Sequence, residues 1–494
     1  MNQISLTKGS FFSLFNLPPT RFKKEALTKL GEVMTQVRIN GPSPVDAGYV
    51  YLGQFITHDA TRLMRGSSDN IEDDVPINEL QQLRTPSLEL DSVYGEGFDD
   101  PEVAVDQQTG KMRLGPTYDS EGRIRAENDL PRKEDLTPKT KDNRNDENLL
   151  IAQMHVQFLK LHNFFVDEIS KKIKARLTAK ELYERARKEC ILHYQQVVLH
   201  DFLYEMIDEN VWNHVVIDKK RNLWNTTYAE EARMPLEFSA AAFRFGHSMV
   251  RSDYTINYDI GNVDLKTLFI MTGKGGMNGH AGLPVNYVID WSLYFSLLAK
   301  SEPKPLGFNL AEKINLSLSF IPPFREGRKK ISLLNLLRGN ELSLPDSQTL
   351  IKFLKKEYSE LTRDLKLKEL TTDELNPEVE IVINGKTIRK RILDEVGTEY
   401  GFDIKTPLWY YILAEAQSNK NNRKSGHKLG TLGSLIVAEV IYSLILLSKP
   451  SIFDKYTRWS NYIPKQTGNN GGQSHYKFID LLSAINPDMA ISHS

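Results

Sequence analysis

Apolar residues recur three and four positions apart through most of this chain, the spacing that buries one face of an α-helix and that an alternating β-strand does not produce. Leu30, Val33 and Met34 follow it, as do Val45, Tyr49, Leu52, Phe55 and Ile56, and then Leu150, Met154, Phe158, Leu161 and Phe165. Leu192, Gln196, Leu199 and Leu203 continue the pattern, followed by Leu236, Ala240, Phe243, His247 and Val250, and by Leu435, Val437, Val440, Ile441 and Leu444. The fold class read from this is mainly α. One strand signal stands out at 379–390, where VEIVI and KTIRK flank Asn384-Gly385, a pair suited to a type I′ turn. It reads as a small surface β-hairpin, an insertion at 365–400 in a helical body. The polar stretches 96–147 and 254–290, the second with its glycine cluster at 273–282, read as long loops. With no internal repeat and no linker, residues 1–494 are expected to form one large domain.

Composition narrows the function classes. Of the 494 residues, 40% are hydrophobic and 26% charged, enough to bury a large core. Lys and Arg number 63 against 64 Asp and Glu, so the basic excess that a phosphate backbone attracts is missing and nucleic acid is not an expected partner. The single cysteine, Cys190, excludes an internal disulfide, a zinc ribbon and a Cys-ligated iron–sulfur cluster. Any metal must therefore be held by His, carboxylates or carbonyls. The most apolar run, Gly433 to Ser448, contains Glu439 and falls short of the roughly 20 apolar residues that span a bilayer, so it reads as a buried helix and no transmembrane segment is expected. The N-terminal stretch lacks a basic region leading into an apolar one, and Pro18 and Pro19 interrupt it. No classical signal peptide is expected, which points to the cytoplasm or to a non-classical export route. Nothing in the sequence sets an oligomeric state.

The most informative segment is Tyr51-Leu-Gly-Gln-Phe-Ile-Thr-His-Asp59. As a helix it aims Gln54 and His58, four apart, from one face, with Asp59 rotated about 100° away. An imidazole and an amide would share a cavity while a carboxylate points elsewhere. An ordinary helix with a satisfied histidine accommodates the same residues.

Further segments follow in order: Leu90-Asp-Ser-Val-Tyr-Gly95, Asp129-Leu-Pro-Arg132, Asp142-Asn-Arg-Asn-Asp-Glu147 running into His155 and His162-Asn163, Ala241-Ala-Phe-Arg-Phe-Gly-His247, Leu334-Asn-Leu-Leu-Arg-Gly339, and Leu429-Gly430 running to Ala438-Glu-Val440. With these motifs, from about residue 25 to 485, the chain resembles the animal haem peroxidase family, the peroxidase–cyclooxygenase superfamily. Its disulfide-free form is similar to the bacterial branch. The resemblance implies a haem b whose iron is held by His247, with Asn335 accepting from the other ring nitrogen. It implies Arg244 and Arg338 as partners of the haem propionates, since a guanidinium binds a carboxylate through two N–H groups. On the other side of the ring it implies His58 as general base and then general acid, Arg144 as a fixed positive charge, and Gln54 orienting water or a small anion. The implied activity is reduction of hydrogen peroxide through an oxoferryl intermediate, with oxidation of small donors (halide, thiocyanate or phenolic) and a part in the response to oxidative stress.

In the family a glutamate at the position of Glu147 forms an ester to a haem methyl. The aspartate that makes the second ester is replaced here by Thr57, and the methionine that links a vinyl group by Asn148. At most one covalent link, through Glu147, is expected. The resemblance also implies Ca2+ on Asp59, Thr85, Ser87 through its carbonyl, Glu89 and Asp91, with Glu89 where an aspartate is usual. The last four are spaced by two, so an extended loop could turn them to one side. A cation on Asp59 would fix the helix that presents His58. Two alternatives remain: a fatty-acid dioxygenase of the same superfamily, and a non-catalytic haem-binding protein. The first uses a tyrosine three residues before the proximal histidine, where this chain has Arg244, and the second has no need of Gln54, His58 and Arg144. His155 and His162, Cys190 and the Gly273–Gly279 cluster are read as core or loop residues without a role in chemistry.

Overall fold

The computed structural model describes residues 10–38, 43–65, 80–173, 175–224, 233–295, 331–418, 426–455, 462–463 and 475–487. The Gly/Asn-rich stretch after Lys465 lies outside them, apart from His475. The architecture is mainly helical, as the periodicity predicts. The longest helix among the described residues, Leu149–Lys172, starts where the Asn148 side chain accepts from the Ile151 N–H and ends on Lys171 and Lys172, basic residues at the negative end of the helix dipole. It packs against Gly48–Ala60, Ala179–Val197 and Phe478–Ile485. A second group, Lys24–Gln36, Ile331–Glu341, Leu408–Ser418 and Thr431–Leu447, packs in sequence order, and one apolar core runs through both groups.

The expected helix Leu236–Val250 is in fact two pieces. An α-helix covers Leu236–Ala240, Ala241 leaves helical space at φ −133° and ψ −69°, and a 3₁₀ helix runs over Ala242–Ser248. The break has a consequence for the site. In a 3₁₀ helix residues i and i+3 eclipse, so Arg244 and His247 share one edge, where an unbroken α-helix would offset them by about 60°.

The buried helix Thr431–Leu447 carries its one carboxylate inward. Glu439 is 0% exposed and accepts the backbone N–H groups of Asn222, Leu223 and Trp224. Burial pushes its carboxyl up to about 7. No described helix is long and apolar enough to cross a membrane. Replacing Glu439 by Ala leaves these donors without an acceptor, and a loss of about 2–4 kcal/mol is expected from the cost of unpaired buried donors. A urea titration reads it, and an unmoved midpoint would mean that the donors find other partners.

The hairpin forms as predicted, with Glu378–Ile383 against Lys386–Arg391 and positive φ at both Asn384 and Gly385. Val37–Arg38 adds a third strand to it, pairing Val37 with Ile381, which is fully buried. The polar stretches also hold strands that hydropathy did not reveal. Gly115–Tyr118 pairs with Ile124–Asp129, and Asp253–Asn257 with Gly261–Asp264. Ile124–Asp129 is largely exposed, so the backbone ladder, not an apolar face, holds it in place.

Candidate functional site

A cavity of about 560 Å³ opens between the Gly48–Ala60 helix and the 3₁₀ helix Ala242–Ser248. Gln54, Thr57, His58, Arg144, Glu147 and Asn148 line it together with Arg244, His247 and Arg338, and the remaining wall is mostly apolar, including Phe202, Phe243 and Phe269. Its size and its few convergent polar groups are those of a cofactor pocket. Of the residues predicted from the sequence, this cavity gathers all but Asn335 and the Asp59 loop.

His58 is held by a partner that the sequence reading did not single out. Its Nδ1 lies 2.8 Å from Asn145 Oδ1, and Asn145 Nδ2 lies 2.9 Å from His155 Nδ1. A carbonyl oxygen only accepts, so His58 carries its proton on Nδ1 and its Nε2 presents a lone pair. Nε2 is 3.8 Å from the Glu147 carboxylate. Burial, and then the charge of Arg144, pushes the imidazole down to about 3, so it is neutral at physiological pH. His155 is the hydrogen-bonded core histidine expected for it. His162 is another, facing Tyr94 and the Gly110 carbonyl.

The Asn143–Asp146 turn fixes Arg144. Asp142 caps the turn and its carboxylate accepts from the Arg144 guanidinium, which also donates to the His58 carbonyl at 2.9 Å. The fully buried Asp142 collects Arg84 as well, with Arg62 3.7 Å away, and Arg144 and then Arg84 hold its carboxyl far below the usual range. One carboxylate against three guanidiniums leaves a net positive field beside His58. The signal for Asp142 was present in its motif, two residues before Arg144. The longer-range partners, Arg62 and Arg84, leave no local pattern. Gln54 bridges Glu147 and Asn148 at 3.4 and 3.3 Å, while the Thr57 hydroxyl is spent on the Gly53 carbonyl.

On the other wall, burial and then Arg244 push His247 down to about 3, so it too is neutral. Its Nδ1 lies 2.9 Å from the Asn335 amide nitrogen, and Asn335 Oδ1 is buried without a partner. Amide nitrogen and oxygen are near-isosteric, so a half-turn presents Oδ1 as acceptor for Nδ1–H and leaves the Nε2 lone pair for a metal. A neutral imidazole with one free nitrogen, two guanidiniums and an apolar wall form a donor set that fits a haem.

Asp59 points away from the cavity, and its carboxylate accepts the backbone N–H groups of Leu90 and Ser92. Burial and the nearby Asp91 raise it to about 7. Asp91 faces Thr85 at 3.4 Å and Arg84 at 3.9 Å, and Ser87 donates to the Thr85 hydroxyl. Glu89 turns instead to the Lys449 N–H, at 2.8 Å. Among the described residues no group of three or more His, Cys, Asp or Glu is arranged to hold a metal ion. Hydrogen bonds from Leu90 and Ser92 to Asp59 join the loop to the helix.

Comparison with known proteins agrees with this architecture. The chain is 24% identical over 243 residues to heme peroxidase 2 of Caenorhabditis elegans, a match that covers 44% of this chain and 33% of that protein. It is 28% identical over 113 residues to a peroxidase-like protein of Margaritifera margaritifera, covering 22% of this chain and 14% of that one. The matches therefore span a third or less of these curated relatives. In fold it is similar to peroxidase A of Dictyostelium discoideum, with a TM-score of 0.59 at 14% identity over 91% of this chain and 88% of that one. It is also similar to a fatty acid alpha-dioxygenase of Arabidopsis thaliana, with a TM-score of 0.63 at 14% identity over 98% and 79%. The model of the family described as animal haem peroxidase matches residues 51–375, more than half of the chain. A chain with this match, this helical fold and this cavity belongs to the animal haem peroxidase family, and membership implies a haem.

Proposed function

We propose that the protein, read as one unit over 1–494, is a haem-dependent peroxidase that reduces hydrogen peroxide and oxidises small halide, thiocyanate or phenolic donors. The observation that carries the reading is a neutral His58, its tautomer set by Asn145, lining with Arg144 the same cavity as His247. In this proposal His247 would hold the haem iron with its ring fixed by Asn335, and Arg244 and Arg338 would pair with the propionates. The haem, when bound, supplies the redox centre at which peroxide is reduced. His58 Nε2 takes the proton from the peroxide oxygen nearer that centre and returns it to the departing oxygen. An imidazole that loses protons as readily as this one hands the proton on without holding it. Arg144 offsets the negative charge that develops on the departing oxygen, and Gln54 holds water or a small anion beside it. Glu147 is the sole carboxylate among the described cavity residues, so a single ester to the haem would have to form there. No step in this reading passes through calcium.

The dioxygenase reading draws on the structural neighbours. It lacks its hydrogen-abstracting tyrosine, because Arg244 stands three residues before His247. Steady-state assays of the haem-loaded protein distinguish the two. Saturable, peroxide-dependent oxidation of iodide or a phenol is expected. Oxygen uptake with a fatty acid, and no donor oxidation, would overturn the peroxidase reading.

A further inference from the structure

Tyr49 begins the helix that carries His58 and lines the same cavity, yet the chemistry above makes no use of it. Tyr49 is 8% exposed and its phenol donates to Asp201 Oδ1 at 2.7 Å, and Asp201 is itself 2% exposed. The other carboxylate oxygen accepts the Phe478 N–H at 2.7 Å, so the acid is fixed from two sides. Burial raises both groups, the tyrosine well above its usual value and the aspartate to about 7. The charged groups that act on the pair are Asp46, Glu205 and Lys477.

Two features show that the contact is built into the fold. Asp201 sits in a π-turn, Val198–Phe202, that interrupts the run of helix after Val197. Such turns add a residue, re-aim the side chains around it and occur often at functional sites. Here the turn sends Asp201 to Tyr49 and Phe202 into the cavity wall. On the other side of the ring, Phe295 packs edge-on against Tyr49 with centroids 5.2 Å apart, in space that a side chain at Gly48 would fill.

We infer that Tyr49, hydrogen-bonded to the buried Asp201 on the cavity wall, is a redox-active site that stores one oxidising equivalent as a neutral tyrosyl radical. The inference rests on the proposed function, since the oxidant is a haem group oxidised by peroxide. One electron leaves the Tyr49 ring for that group. The phenolic O–H bond breaks, and the proton moves along the existing hydrogen bond to form an O–H bond on Asp201 Oδ1. The products are a neutral phenoxyl radical and a neutral carboxylic acid, so no charge is created in a buried place. One electron from a phenolic donor, with return of the Asp201 proton to the phenoxyl oxygen, restores both groups, and the donor's own proton leaves to solvent. Without the carboxylate, oxidation would leave a radical cation in an apolar wall.

The test is electron paramagnetic resonance of the haem-loaded protein, frozen after mixing with peroxide at pH 8, with absorbance recorded on the same sample. The wild type is expected to give a tyrosyl signal. Tyr49→Phe, which keeps the ring against Phe295, is expected to lose that signal while its Soret band and its peroxide-induced absorbance change persist. Asp201→Asn, which keeps an acceptor oxygen but cannot take the proton, is expected to lose it too. A full signal in Tyr49→Phe, or no tyrosyl signal in a wild type whose absorbance does change, overturns the inference and leaves the peroxidase reading standing. An unchanged signal in Asp201→Asn overturns the proton transfer to Asp201. Absence of any absorbance change in the wild type overturns the peroxidase reading and this inference with it.

Discussion

His247→Ala is expected to yield a folded chain that takes up almost no haem. The side chain lines a cavity and hydrogen-bonds only Asn335 among the described residues, so its removal costs the fold about 1 kcal/mol, the net worth of one ordinary hydrogen bond. The loss of haem is far larger. Disturbing a partner that merely orients a ligand costs roughly 10–100-fold in metal affinity, and removing the ligand itself costs more. No other described histidine is offered as a substitute, since His58 belongs to the opposite helix and His155 and His162 are committed to Asn145 and to Tyr94 and Gly110. Haem titration followed at the Soret band reads the effect, with circular dichroism as the control on folding. Undiminished haem uptake would remove His247 from the ligand position and with it the assignment of Arg244 and Arg338.

His58→Ala separates binding from chemistry. This variant is expected to retain haem, because His58 contributes no ligand in the proposal, and to react with peroxide about 10²–10⁴-fold more slowly, the usual contribution of a positioned acid–base group. Stopped-flow absorbance after peroxide mixing measures the rate. The setting supports this role: Asn145 accepts from Nδ1, so Nε2 faces the cavity, and the depressed pKa keeps the imidazole unprotonated at neutral pH. Arg144 remains in that variant and still offsets charge, so a residual rate above that of free haem is expected. An unchanged rate would exclude His58 as the proton carrier.

Much of this site could be read from the chain because its parts are local. Gln54 and His58 are one helical turn apart, Arg144 and Glu147 belong to a single turn, and Arg244 and His247 are three apart. Motifs of this kind survive whatever the rest of the fold does. What escaped the reading depends on partners distant in sequence. Glu89 accepts from the backbone N–H of Lys449, which is 360 residues away. The hairpin gains a strand from Val37–Arg38, near the other end of the chain. The break at Ala241 carries no glycine or proline to announce it, and packing against Leu408–Ser418 and Gly48–Ala60 sets the 3₁₀ geometry that follows. Asn145 looked like one more residue of the Asp142–Glu147 motif until its neighbours on two helices, His58 and His155, gave it a function.

A haem seated in the cavity between His58 and His247 is tested most directly by the absorption spectrum of the wild-type protein titrated with haem and then mixed with peroxide. A saturable Soret band is expected, one that shifts when peroxide is added and returns when a phenolic donor follows. A protein that leaves supplied haem unbound, or binds it and shows no change with peroxide, would contradict it.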